Sequence, residues 1–410
     1  MCKLFTLHNQ DGGFAMVFAW RSRRRPRDTL NRQNAVSDRR VPRTIAIACP
    51  LVAFLAWNEV ACPFSGDQRL TALWAQLPDL AGRAVPSAGA EDSMMGRRKF
   101  ARGINLAGAE FNDDKIPGVH GQDYIYPPDR HIDYYKSRGF DVVRLPFRWE
   151  RLQRALYGDL DAVELGRIKT FVAAARTRDM KVILSPHNYG RYSIDGTFAL
   201  IGSGRVPIDA FADFWRRLAT EFAGDAAVYA FSLMNEPHDS GGLWRSAAQA
   251  GLEAIRRSDR ERLVLAPGDQ WSGAWSWRRF NNNFLLEDAT GNLVYEAHQY
   301  FDANRSGKYR EDYALSGAYP DLGIDLVRPF ARWLQEHRVA GIITEFGVPN
   351  DDPRWLEIID RFLPWLAGQN IPWVYWAGGP WWGSYPLSAE PRDGIDAPVM
   401  SILSKTHNLR

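Results

Sequence analysis

The chain has 410 residues, 45% hydrophobic and 24% charged, the balance of a soluble globular protein with room for one large domain or two ordinary ones. Its formal charge of +3 joins two unlike parts: residues 1–43 carry ten Lys or Arg against three Asp, and residues 44–410 carry a net of −4. A body of that sign excludes nucleic acid as the expected partner, and three cysteines that all precede residue 63 leave the body without a disulfide and match no zinc spacing, so no metal site is expected.

Residues 21–43 are rich in arginine (RSRRRPR, DRRVPR), and TIAIACPLVAFLAWN at 44–58 then runs without a charge. A basic stretch followed by such an apolar run reads as an export signal, implying a secreted or periplasmic protein. The run is shorter than the roughly 18–20 residues of a membrane span and has Pro50 in its middle, so a membrane anchor through 44–58 is the second reading. Glu59 spoils the small-residue cleavage site ending at Ala61, whereas AGA at 88–90 has the right composition farther on. Pro42 stands where a twin-arginine signal after Arg39 and Arg40 wants an apolar residue. Residues 63–97, rich in Ala, Gly and Pro, are expected to be a linker, and 98–410 the functional body.

In that body, strand-like runs recur at 100–108, 141–147, 181–187, 228–236, 262–269, 292–300, 340–347 and 372–379. Each is short and apolar on both faces, as parallel strands covered by helices are. Helical stripes alternate with them: Leu165, Ile168, Val172 and Ala175; Phe211, Phe214, Trp215, Leu218 and Phe222; Trp355, Ile358, Ile359, Phe362 and Leu366. Strand–helix units repeated in this way predict a single α/β domain, a (β/α)8 TIM barrel with its active site at the C-terminal ends of the strands. A doubly wound open sheet is the alternative, but no GxGxxG follows the first strand.

Polar residues gather at those strand ends. FSLMNEP at 231–237 delivers Asn235 and Glu236, and GIITEFG at 341–347 delivers Glu345, 109 residues after Glu236. Arg144, His187, Asn188, Glu296, His298, Tyr300 and Trp376 stand at other strand ends. A lone strand histidine is usually a hydrogen-bonded core residue, but burying so many polar groups to no purpose would cost several kcal/mol. Glycoside hydrolysis uses such a set: one protonated carboxyl to assist the leaving oxygen and one ionised carboxylate. Arg144 is expected to hold Glu345 ionised and Tyr300 to hydrogen-bond it, with His298 orienting Glu236. Asn235 is expected at the sugar 2-hydroxyl and Trp376 beneath the ring.

GINLAGAEF, VVRLPFRWERLQ, SPHNYGRY, NEP at 235–237, WSGAWSW at 271–277, HQYFD, ITEFG and WAGGPWWG resemble, in order and across 100–380, glycoside hydrolase family 5, especially its cellulase-like endoglucanases. The resemblance implies a retaining endo-β-1,4-glucanase acting on a β-glucan polysaccharide, with Glu236 as acid/base and Glu345 as nucleophile. It maps supporting roles onto Arg144, His187, Asn188, Asn235, His298, Tyr300 and Trp376, and it implies no metal or organic cofactor. A monomer is expected. A retaining pair stands about 5–5.5 Å apart. Trp271, Trp381 and Trp382 are candidates for further sugar subsites, while Glu110, Glu150, Asp269, Glu296 and Asp302 are expected to be subsite or scaffold residues. The same core would serve mannan, xyloglucan, β-1,3-glucan or a self-produced exopolysaccharide, and a non-catalytic polysaccharide-binding barrel is the remaining alternative.

Overall fold

All eight apolar runs become strands in the computed structural model, which describes residues 102–405: β1 Gly103–Leu106, β2 Val142–Phe147, β3 Lys181–Pro186, β4 Val228–Ser232, β5 Leu263–Pro267, β6 Leu293–His298, β7 Ala340–Glu345 and β8 Val374–Gly378. The expected export segment with its apolar run at 44–58, and the linker at 63–97, lie outside the described residues. Every neighbouring pair is parallel, and β1 pairs with both β2 and β8. The ring closes between β7 and β8, where the Ile343 N–H donates to the Pro372 carbonyl at 3.0 Å and the Trp376 N–H to Phe346 at 2.8 Å. Closure on these bonds is what separates a barrel from the open doubly wound sheet.

Six full helices cover the outside: α1 Asp129–Ser137, α2 Ala162–Thr177, α3 Ile208–Glu221, α4 Trp244–Ser258, α5 Leu322–His337 and α6 Pro353–Gly368. Their starts are written locally. The Asp161 carboxylate accepts from the Val163 and Glu164 N–H groups, each at 3.0 Å, and Asp352 caps α6 ahead of Pro353. The apolar stripes of α3 and α6 are buried against the strands, as their spacing predicts.

The units after β5 and β8 differ from the expected repeat. Among the described residues only one-turn helices, Trp277–Phe280 and Met400–Leu403, follow them. Residues 268–292 are full of Trp, Ser, Gly and Asn and show no helical stripe, so that chain builds the rim instead of a covering helix. A hairpin, Arg191–Ile194 with Thr197–Leu200, interrupts the third unit. Asp195 and Gly196 form its two-residue turn with φ of 50° and 72°, the left-handed pair that Asp-Gly favours.

Inside the ring the strands alternate, so Val142, Ile183, Ala230, Leu263, Leu265, Val294, Ile342 and Val374 form a dry apolar layer separate from the core under the helices. Two residues farther along the same faces, the composition turns polar, and that is where the mouth begins. Among the described residues no helix is long and apolar enough to cross a membrane.

Candidate active site

Arg144 stands at the centre of the polar layer, fully buried on β2. One terminal nitrogen donates to Glu345 Oε1 at 2.8 Å and Asn105 Oδ1 at 2.9 Å, and lies 3.2 Å from His187 Nε2. The other donates to Asn235 Oδ1 at 2.8 Å and lies 3.2 Å from Glu296 Oε1. Five groups from five strands or strand ends are therefore fixed by one planar fork.

Regular strand geometry would not bring Glu236 and Glu345 together. β4 stops at Ser232; Asn235 is held by its N–H donating to the Pro186 carbonyl at 2.8 Å, and Glu236 then adopts φ of 44°. That left-handed residue lets both Asn235 and Glu236 point into the mouth, where an extended chain would separate them. On β7, inward Ile342 and Thr344 would send Glu345 outward. A register shift against β6, which sets His298 opposite Glu345, turns it in.

An oxygen of Glu236, a ring nitrogen of His298 and an oxygen of Glu345 all lie within 4.8 Å of one another. His298 Nδ1 is 2.9 Å from Glu236 Oε1 and 3.6 Å from Glu345 Oε2, and the Tyr300 hydroxyl donates to Glu345 Oε2 at 3.2 Å. The Thr344 hydroxyl donates to Glu296 Oε1, so its oxygen can only accept from His298 Nε2–H, 3.0 Å away. Nδ1 then faces Glu236 as the remaining exchangeable position. Ser232 donates to Glu296 Oε2 at 2.6 Å, which anchors this carboxylate beneath Glu236 and Glu345.

Charges in so dry a place move their neighbours' titration. Burial alone would lower His298, but Glu345, the bond to Glu236 and the Glu296 carboxylate 3.7 Å from Nε2 outweigh it and raise it to about 9. His187 goes the other way: burial, then Arg144 and His298, hold it neutral. Burial would raise Glu296, but Arg144 and His298 keep it below its ordinary value. Glu345 departs from expectation. Arg144 does pair with it, yet burial comes first and, with the Glu236 charge, carries its pKa upward despite His298 and Arg144. Burial and then Glu345 push the Tyr300 hydroxyl well up, so it stays a donor.

The cleft above has a volume of about 990 Å³. His187, Asn235, Glu236, His298, Tyr300, Glu345, Trp376 and Trp271 line it. Trp376 lies over His187 at 5.8 Å and 20°, and Trp271 stacks on His238 at 4.3 Å. Asn188 does not line the cleft; it is buried, accepting from the Trp149 N–H at 2.9 Å and donating to Glu150 at 2.6 Å. Trp381 is exposed away from the lining, and Trp382 stacks on Tyr385 at 4.4 Å behind it. Glu150, Asp269 and Asp302 hold loops: they accept from Ser193 N–H, Gln270 N–H and Ser306 Oγ at 2.7, 2.8 and 2.7 Å. Glu110 accepts from the Gly108 N–H at 2.7 Å, while its other oxygen is buried with no hydrogen-bond partner among the described residues. Burial carries its carboxyl up to about 7.

Asn105, Ser232, Thr344 and the cleft-lining Tyr189, Trp275 and Tyr385 escaped the sequence reading. Period two along β1, β4 and β7 carried the signal for the first three, each beside an outward apolar residue; the others sit on loops with no period to read.

Facing carboxylates on the rim of a closed parallel barrel, in an open cleft walled by aromatic rings, define a (β/α)8 glycoside hydrolase. The particular family is also given by likeness: the family model "Cellulase (glycosyl hydrolase family 5)" matches residues 102–381. The chain belongs to that family. It is 33% identical to endo-beta-1,4-glucanase B of Aspergillus niger over 312 residues, 74% of this chain and 89% of that one. Endoglucanase Cel5A of Pseudomonas stutzeri, solved in complex with cellobiose, is 41% identical, with a TM-score of 0.71 over 75% of this chain and 92% of that chain. The endo-beta-1,4-glucanase Xac0029 of Xanthomonas axonopodis pv. citri is 37% identical, with a TM-score of 0.70 over 74% and 97%.

Proposed function

We propose that this enzyme hydrolyses internal β-1,4-glucosidic bonds of cellulose or related β-glucans with retention, Glu345 acting as nucleophile and Glu236 as acid/base. The observation that carries the reading is the approach of their carboxylate oxygens within 4.8 Å in an open cleft, close to the separation of a retaining pair and well short of the roughly 6.5–9.5 Å of an inverting one. Glu345 attacks the anomeric carbon as Glu236 gives its proton to the departing glycosidic oxygen. Water then attacks the glycosyl–Glu345 ester, and Glu236 takes the water's proton. His298 fixes the Glu236 oxygen it touches, and Arg144 and Tyr300 hold Glu345 in line. Asn235, between Arg144 and the cleft, is suited to the 2-hydroxyl, and Trp376 to the ring face.

Product stereochemistry tests this. Proton NMR during hydrolysis of a cello-oligosaccharide should show the β-anomer first; α-anomer first would refute the assignment. Glu345→Gln should leave glucan binding in place and lower turnover by about 10⁴-fold or more. Carboxymethylcellulose, mannan and laminarin assayed side by side decide the glycan, and activity confined to mannan would overturn the choice of β-1,4-glucan. We further infer export, supported by the basic segment and apolar run at 44–58; an intact Met1 on the protein of a cytosolic fraction would defeat it.

A further inference from the structure

The charged residues of the cleft wall fall into two groups. Its carboxylates are Glu236 and Glu345, both engaged with His298 or Arg144. Among the described residues its other charges, besides His298, are all cationic: Arg279 from the loop after β5, and Arg305, Lys308 and Arg310 from the loop after β6. Arg305 is structural, donating to the Phe301 and Asp302 carbonyls at 3.1 and 2.7 Å. The side chains of Arg279, Lys308 and Arg310 are exposed and have no hydrogen bond or ion pair among the described residues, whereas adjacent Arg278 pairs with Glu336.

An ordinary solvated face mixes signs. Here the loop's own acids turn elsewhere: Asp302 is buried, accepting from the Gly307 N–H at 3.1 Å, and Asp312 accepts from the Leu315 N–H at 2.8 Å. Glu311 does not line the cleft. The cations are also held in place. A Cβ on Gly307 would stand 2.8 Å from the Tyr300 ring, so this loop lies directly on the residue that donates to Glu345. Arg279 sits on the one-turn helix anchored by buried Trp277. The patch opposes the net negative charge of residues 44–410.

Resting on the β-glucan reading of this cleft, we propose that it favours a β-glucan bearing carboxylate groups, received by Arg279, Lys308 and Arg310. Neutral glucose offers these side chains only hydroxyls. A carboxylate offers charge and, to a guanidinium, two parallel hydrogen bonds. The attraction acts across exposed side chains and is therefore screened by salt.

The test compares kcat/KM on carboxymethylcellulose and on uncharged hydroxyethylcellulose, for the full chain and for the triple variant Arg279→Gln, Lys308→Gln, Arg310→Gln. With each exposed pair contributing a few-fold, the charged-to-neutral ratio should fall by about ten-fold in the variant. Raising salt from about 0.01 to about 0.5 M should produce the same fall in the unsubstituted protein. A ratio that survives both changes, or an equal loss on both polymers, overturns the proposal. Mobility retardation in native gels cast with either polymer gives the same ratio without turnover. Failure to cleave hydroxyethylcellulose counts against the glucan reading itself, a result separate from any change in the ratio.

Discussion

Val142 and Arg144 lie two residues apart on one face of one strand, and the same step separates Ala230 from Ser232, Val294 from Glu296 and Ile342 from Thr344. The lower member of each pair packs in a dry apolar layer; the upper one belongs to the hydrogen-bonded network around Arg144 and Glu296. Both layers are buried to a similar degree. The lower layer needs only shape, since apolar groups of similar volume exchange cheaply. The upper layer needs every partner present, because a buried charge left alone is costly. One barrel thus carries a tolerant floor and an intolerant mouth a single strand step apart.

Breaking the mouth should therefore have the largest effect. Arg144→Met strands Glu345 and Glu296 together without their shared cation, and is expected to destabilise the fold by about 3–5 kcal/mol in denaturant titrations. It should also lower kcat/KM by about a thousand-fold. In the proposed role of nucleophile Glu345 must be ionised, so activity should be lost as pH falls through its already raised pKa. Removing Arg144 removes a group that opposes that rise, and the acid limb of any residual activity should move to higher pH. The floor should respond differently. Leu265→Ala empties space in the dry layer at a cost of about 3 kcal/mol, with the pH–rate profile unmoved. A profile that shifts with Leu265→Ala would dissolve the contrast between the layers.

The same contrast explains what the sequence disclosed. Barrel, strands and the floor-to-mouth change in polarity follow from short apolar runs with period two, so Arg144, His187, His298 and Trp376 can be placed from the residues alone. The two carboxylates could be named but not aimed. Glu236 reaches the cleft through a left-handed φ of 44° and Glu345 through a register shift, and neither departure has a residue-type signature such as Gly. Asn188 runs the other way: it borders His187 in sequence, yet it lies off the cleft lining with its side chain spent on Glu150 and the Trp149 N–H. The loops after β5 and β8 resisted reading because rim segments answer to the cleft and carry no repeat. The Asp-Gly turn of the hairpin was readable by its residues alone.

Glu296 lies at the base of the mouth, and a milder change there sharpens the comparison. Glu296→Gln keeps the shape while removing one of the carboxylates that lift His298. His298 is raised from 6.5 to about 9, so its contribution to stability is complete below pH 6.5 and disappears as pH rises through about 9. Glu296 is depressed, so its contribution is present above 4.5 and fades as pH falls. The variant should lose about 2 kcal/mol near neutrality, its alkaline loss of Tm should begin at lower pH, and its acid-side loss should flatten. Melting curves across pH check all three. An alkaline limb identical to that of the unsubstituted protein would detach Glu296 from His298.

The smallest effect belongs to the edge of the cleft, where neither layer's rule applies. Trp271 lines the cleft with its ring exposed and its other face stacked on His238, 9° from parallel. It closes no hydrogen-bond network, and burial holds the His238 beneath it below its ordinary pKa, so the pair presents a flat apolar surface with no charge. A sugar stacked there gains on the order of 1 kcal/mol, which Trp271→Ala should remove as a several-fold rise in KM with kcat and Tm nearly constant. Trp271→Phe should restore most of it, because a smaller ring still covers the sugar face. If kcat falls with KM, Trp271 acts on the transition state and belongs with the mouth; if neither moves, the sugar chain runs elsewhere along the wall.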